Sequence, residues 1–238
     1  MGAIYKREMR AYFTTGLGYV FCAVFLAVAG FAFSVCTLQR AIVGENISLS
    51  AYFAVIIVMM VALLPILTMK SLSEEKKTRT EQLLLTSPVS LASIITAKFL
   101  AAFTVFAASL LMSCFYFTTL SLYGSPNFGT IYGYVIGILL IGAAFIAVGI
   151  FISSLTENQL VAAVGTIAVL LLMISINFLN NYIDSSFIRS ILSWISIYAR
   201  FGNFTYGLFD FSALLYYVSI CFAFLFLTVR VLEKRRWE

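Results

Sequence analysis

The chain has 238 residues, of which 62% are hydrophobic and only 11% charged, with a mean hydropathy of +1.03. A soluble domain is roughly half apolar and about one-quarter charged, so these values exclude a water-soluble globule. The net charge of +5 is carried in clusters beside apolar blocks, the pattern of juxtamembrane anchors, and no nucleic-acid partner is expected.

The apolar blocks match the ~20 residues that a helix needs to cross ~30 Å of hydrocarbon. No ~10-residue alternating strands of a membrane barrel occur. The four cysteines, Cys22, Cys36, Cys114 and Cys221, lie in or beside these blocks without CxxC spacing, and there is no histidine. A metal site and a disulfide framework are therefore not expected. The expected fold is an all-α polytopic membrane protein, one transmembrane domain over 1–238.

In chain order, Ile4, Tyr5, Met9, Tyr12 and Phe13 alternate with Lys6, Arg7, Glu8 and Arg10. This predicts an amphipathic helix in the membrane interface over 1–16, in contact with lipid. No cleavable signal peptide is expected, because the apolar stretch that follows is of full span length. Six spans are predicted at 18–38, 52–69, 97–120, 131–152, 160–179 and 211–232, so both termini share a side. Twelve of the fifteen Lys and Arg residues, all but Arg40, Arg189 and Arg200, fall at the two termini or in the 70–98 connection. The positive-inside rule then predicts cytoplasmic termini and a cytoplasmic 70–98 segment in a bacterial inner membrane.

The 70–98 connection is longer than a hairpin needs. It reads SEEKKTRTEQLLLTSPVSLASIITAK from Ser73. Thr78 and Glu81 have capping-box spacing, which predicts a helix starting near Thr78, and Pro88 breaks it. The triple leucine Leu83-Leu84-Leu85 is unfavourable in cytosol unless it meets lipid or a partner's groove. In the fourth span, Gly133 and Gly137 have GxxxG spacing and Gly142 and Gly149 continue the small-residue pattern, which predicts close helix packing within a subunit or between two. The segment 180–210 is too broken by polar residues to span, and amphipathic or re-entrant helices between spans five and six are expected.

The run Glu74-Glu75-Lys76, Thr80-Glu81-Gln82-Leu83-Leu84, Ser87-Pro88-Val89-Ser90 and Lys98 resembles the signature of type-2 ABC transporter permeases, with Arg79 where that family usually has glycine. Residues 152–159 (ISSLTENQ), the opening Tyr12-Phe13 and Gly18-Tyr19-Val20, and the end from Phe204 through Arg235-Arg236 are similar to the gliding-motility and nitrous-oxide-accessory branch. The resemblance implies a membrane permease subunit, homo- or heterodimeric, on a separate ABC ATPase that binds ATP and Mg. It implies an exporter working by alternating access, with a periplasmic or membrane accessory protein left open. It also implies that Glu74, Glu75, Thr80, Glu81, Leu83, Leu84, Leu85 and Pro88 form the ATPase-coupling element, while the re-entrant segment closes the outer gate.

The residues themselves agree on two points. No GxxxxGK[ST] loop occurs, so phosphates cannot be cradled in that way by this chain. Central turns of the spans are almost free of ionisable groups, which ion-coupled carriers usually need. Catalysis is not expected, since acid–base chemistry lacks histidine and a buried carboxylate pair. An alternative reading is an ATP-coupled membrane scaffold that transmits force to a periplasmic partner without conducting substrate.

Overall fold

The computed structural model describes residues 1–43, 49–78, 90–122, 128–179, 201–202, 204 and 210–237. The chain is an all-α polytopic membrane protein with six helices long and apolar enough to cross a bilayer. Helix α1 (Gly2–Thr14) precedes α2 (Leu17–Phe33), which continues through a π-helical turn (Ser34–Leu38) and a last helical turn (Gln39–Val43). Helix α3 (Ser50–Thr68) is followed after one residue by α4 (Lys70–Lys77). Then come α5 (Leu91–Ser113), the short α6 (Tyr116–Leu120), α7 (Phe128–Leu155), α8 (Gln159–Leu179) and α9 (Phe211–Trp237).

The turn from α1 to α2 depends on Gly16, whose φ of 74° lies in the left-handed region. A side chain there would be strained, and glycine is the usual residue for ending a helix this way. Thr15 N–H and Gly16 N–H still bond back to Ala11 O and Phe13 O, at 3.0 and 3.3 Å. Helix α2 then buries Phe21, Phe25, Ala29 and Phe33 on one stripe and leaves Tyr19, Val20, Val24 and Phe31 outward. That spacing is the period of a helix with one packed face.

Helix α7 is the centre of the bundle. It packs against α3, α4, α5, α8 and α9, and every residue from Ala144 to Ile150 is buried. In its apolar window 67% of residues are buried, against 22% for α8 and 17% for α9, which places those two at the periphery. Three of the small residues of α7 explain how it admits so many neighbours. A Cβ on Gly137 would meet Phe201 Cε2 at 2.7 Å, one on Gly142 would meet Phe106 Cζ at 2.6 Å, and one on Gly149 would run into the Thr68 hydroxyl. The partners of these glycines therefore lie in the same chain. Gly133, the first residue of the pattern, is half-buried.

The opposite end from α1 and α4 is held by aromatic rings. Phe53 stacks on Tyr134 with centroids 4.2 Å apart, Phe33 meets Phe117 at 5.6 Å and Tyr52 meets Phe117 at 5.5 Å. Tyr134 in turn contacts Phe201 at 5.8 Å. Such pairs hold α2, α3, α6 and α7 together by offset and edge-on packing.

Two boundaries differ from the sequence reading. The third long helix starts at Leu91 and not near 97, and the second span passes with one interruption at Met69 into a helix that ends at Lys77. The second arises because the polar residues 70–77 extend a helix beyond the hydrocarbon without altering its backbone, and the first because residues 91–96, LASIIT, carry the apolar run back from 97. The expected re-entrant helices at 180–210 lie, except for 201–202, 204 and 210, outside the described residues.

Gly142→Ala and Gly149→Ala are expected to destabilise the chain by about 1–3 kcal/mol each through overpacking. Gly165→Ala serves as the control, since its Cβ would meet only Ile152 Cγ2 at an ordinary 3.4 Å. Thermal melts of the detergent-solubilised protein should show lower midpoints for the first two and little change for the third.

Candidate functional site

The basic residues scattered along the sequence meet at one end of the bundle. Helix α4, KSLSEEKK, is polar, and its last-turn Lys76 and Lys77 suit the negative end of its dipole. It buries Ser71, Leu72 and Ser73 and turns Glu75 towards α5. There Lys98 lies two turns inside α5, with its side chain only 2% exposed.

The Lys98 ammonium donates to Glu75 Oε1 at 2.8 Å, Glu8 Oε1 at 3.2 Å and the Ser71 carbonyl at 2.8 Å. Its three donors are thereby all used. Arg7 Nη2 contacts the same two carboxylate oxygens, Glu8 at 2.7 Å and Glu75 at 3.2 Å. Arg7, Glu8, Lys98 and Glu75 thus form a closed ring of alternating charge that sums to zero. It joins three elements, α1, α4 and α5. The Glu8 hydrogen bond, helped by the charges of both carboxylates and opposed by partial burial, raises the Arg7 pKa above its ordinary value.

A second set of polar contacts surrounds the interruption at Met69. Ser153 of α7 donates from its hydroxyl to Met69 O at 3.0 Å and accepts from Leu72 N–H and Ser73 N–H at 3.2 and 3.1 Å. The Ser73 hydroxyl also donates to Met69 O. Tyr12 of α1 donates to Leu67 O at 3.3 Å. Burial, with a smaller contribution from the nearby Glu8 carboxylate, raises the Tyr12 pKa and keeps that donor protonated. Arg235 of α9 donates to Ser154 O at 2.7 Å, near the last turn of α7. The Lys76–Glu157 pair, at 3.2 Å with Glu157 65% exposed, adds little.

Of the expected coupling residues, Glu74 and Glu75 are described and have different surroundings. Glu75 belongs to the ring, whereas Glu74 lines a shallow cleft between α1 and α4 with Glu8, Tyr12 and Lys70. Thr80, Glu81, Leu83, Leu84, Leu85 and Pro88 lie outside the described residues. Thr78 closes α4: it is the C-cap, and its hydroxyl bonds back to Glu74 O at 2.8 Å. Helix α4 thus ends at Lys77 with Thr78 as its cap, and the helix expected to start near Thr78 falls among residues not described. Among the described residues no group of His, Cys, Asp or Glu could hold a metal ion.

Sequence reasoning did not assign Arg7, Glu8, Lys98 or Ser153 to this site. One signal was present: Glu8 is the lone acid among Lys6, Arg7 and Arg10.

Lys98→Met should cost about 3–5 kcal/mol, because it leaves the two carboxylates facing one another with only the half-exposed Arg7 as a cation. The protein should show a lowered melting point and a smaller monodisperse fraction by size-exclusion chromatography. Adding Glu8→Gln and Glu75→Gln to that variant should recover most of the loss, since the uncompensated charge is then gone.

No curated protein matches the chain. The model of the ABC-2 family transporter proteins matches residues 43–232, well over half of its length. The match takes in the six-helix architecture from the end of the first span onward, the joint at Met69 and two of the four members of the charge ring. The chain belongs to the ABC-2 family of transporter proteins.

Proposed function

We propose that the chain is the permease subunit of an ATP-driven exporter of the gliding-motility and nitrous-oxide-accessory kind, with its basic end in the bacterial cytoplasm. Two copies, or this chain and a homologue, pair in the inner membrane above ABC ATPase subunits, which bind ATP and Mg. The segment 70–98 is the coupling element, and the segment 180–210 closes the outer gate during alternating access.

The observation that carries this reading is the attachment of α4. Its C-terminal end leads directly into 79–89, where Thr80, Glu81, Leu83, Leu84, Leu85 and Pro88 are the proposed ATPase contacts. Its body is tied to α5 through Glu75 and Lys98, and to α7 through Ser153. A displacement imposed on 79–89 is therefore felt by α3, α5 and α7 together.

Leu83→Asp with Leu84→Asp should abolish co-purification of the ATPase while leaving membrane insertion intact. Undiminished pull-down by this double variant would remove the coupling role. The force-transmitting scaffold uses the same lever, and ATPase assays separate the two: stimulation by lipid or peptide favours transport, and stimulation by a periplasmic protein alone favours the scaffold.

Sidedness is tested by impermeant thiol labelling in a background with Cys22, Cys36, Cys114 and Cys221 changed to Ala. Lys77 and Ser121 are both exposed, at opposite ends of the bundle, whereas Ser73 is buried and a poor reporter. Ser121→Cys should react in intact spheroplasts, and Lys77→Cys only after the membrane is opened. The reverse pattern would overturn the orientation.

A further inference from the structure

Helix α1 has two faces with different roles. Tyr5, Glu8 and Tyr12 point into the protein, where they reach Thr104 at 3.1 Å, Lys98 and Leu67 O. The opposite flank carries Lys6 and Arg10, one turn apart and both exposed. Together with Arg7 and Thr14 they line a shallow concavity into which no carboxylate projects. Arg7 is already held by Glu8 and Glu75. Lys6 and Arg10 have no ion pair among the described residues, and the one acid of the helix faces the other way.

The depth of this flank is fixed by the inward contacts. Thr104 lies six residues further into the apolar α5 than Lys98, about 9 Å along the helix axis. Through Tyr5 and Glu8 the helix is held against α5 between these two positions. Phe13, on the same flank as Lys6, is 37% exposed and meets Tyr19, itself 64% exposed, edge-on at 5.1 Å. Aromatic residues below a pair of outward cations make the amphipathic profile of a helix at the headgroup level.

We propose that this outer flank of α1 is a docking surface for anionic phospholipid, with Lys6 and Arg10 contacting the headgroup phosphate and Phe13 and Tyr19 the glycerol and upper acyl region. Charge complementarity selects this occupant: two exposed cations beside an apolar ledge match a phosphate attached to a fatty chain. A lipid bound there would also rest on the helix that supplies Arg7 and Glu8 to the ring. The surface lies before residue 43, where the family match begins, and the proposal does not depend on the transport reading.

The full-length protein, purified in mild detergent, is mixed with equal amounts of phosphatidylglycerol and phosphatidylcholine, and retained lipids are counted by native mass spectrometry. The wild type should prefer phosphatidylglycerol. Lys6→Gln with Arg10→Gln should reduce that preference about 25-fold, from about fivefold per removed charge, while Lys6→Arg with Arg10→Lys should keep it. Millimolar inorganic phosphate should leave the ratio unchanged. A wild type without preference, or a Gln variant that retains it, would overturn the proposal. So would an equal loss in Arg230→Gln with Lys234→Gln, which would indicate general charge, or displacement of the lipid by phosphate, which would indicate a free-anion site. Loss of the ATPase from the Gln variant with lipid preference intact would reassign the flank to a protein contact.

Discussion

The buried ammonium of Lys98 constrains this end of the molecule more than any other group. A cation removed from water costs several kcal/mol unless its charge and its donors are met, and Lys98 is 2% exposed. Meeting it requires Glu8, Glu75 and the Ser71 carbonyl at once. Ser71 and Glu75 lie four residues apart, so they face Lys98 together only if residues 70–77 are helical. Glu8 reaches Lys98 only if α1 folds back along α5, and that reversal passes through Gly16. One ionised side chain thus fixes the conformation of two polar segments that have too few apolar residues to fix it themselves.

The interruption at Met69 extends the same logic to the backbone. Met69 keeps helical dihedrals and its N–H bonds to Pro65 O at 2.8 Å, and backbone carbonyls at this depth gain from partners that hydrocarbon cannot supply. Here Leu67 O takes a hydrogen bond from Tyr12, Met69 O from Ser153 and Ser71 O from Lys98. Each donor comes from a different element, α1, α7 or α5. The joint is consequently a place where the helix passes from apolar to polar residues without an unpaired group among these three carbonyls, and where three neighbours are fastened to it.

How much of this could be read from the sequence follows from what each feature depends on. The six spans were legible, because length and hydropathy are local properties. The amphipathic character of α1 was legible for the same reason, and so was the clustering of basic residues at one end. The position of Lys98 was misjudged: read as a residue opening the third span, it looked like an anchor, but α5 begins seven residues earlier. Only tertiary contact distinguishes a lysine at a helix end from one held inside by carboxylates at positions 8 and 75. The glycine pattern of α7 was legible as a packing signal, yet its partners Phe106, Thr68 and Phe201 are 36, 81 and 64 positions away. No periodicity could have named them.

The two ends of the bundle resist displacement in different ways, and this bears on how the molecule can move. Aromatic packing around Phe53, Phe117 and Tyr134 weakens gradually as rings slide, since each pair contributes only about 0.5–1.5 kcal/mol beyond its buried area. The charge ring has no such intermediate: opening it strands at least one buried ion, at a cost of several kcal/mol. Few residues of α8 and α9 are fully buried, so a shift against them disturbs less packing than one against α7. The cheapest response to a force on α4 is therefore movement of α1, α4 and α5 as one unit at the polar end, with the aromatic end yielding.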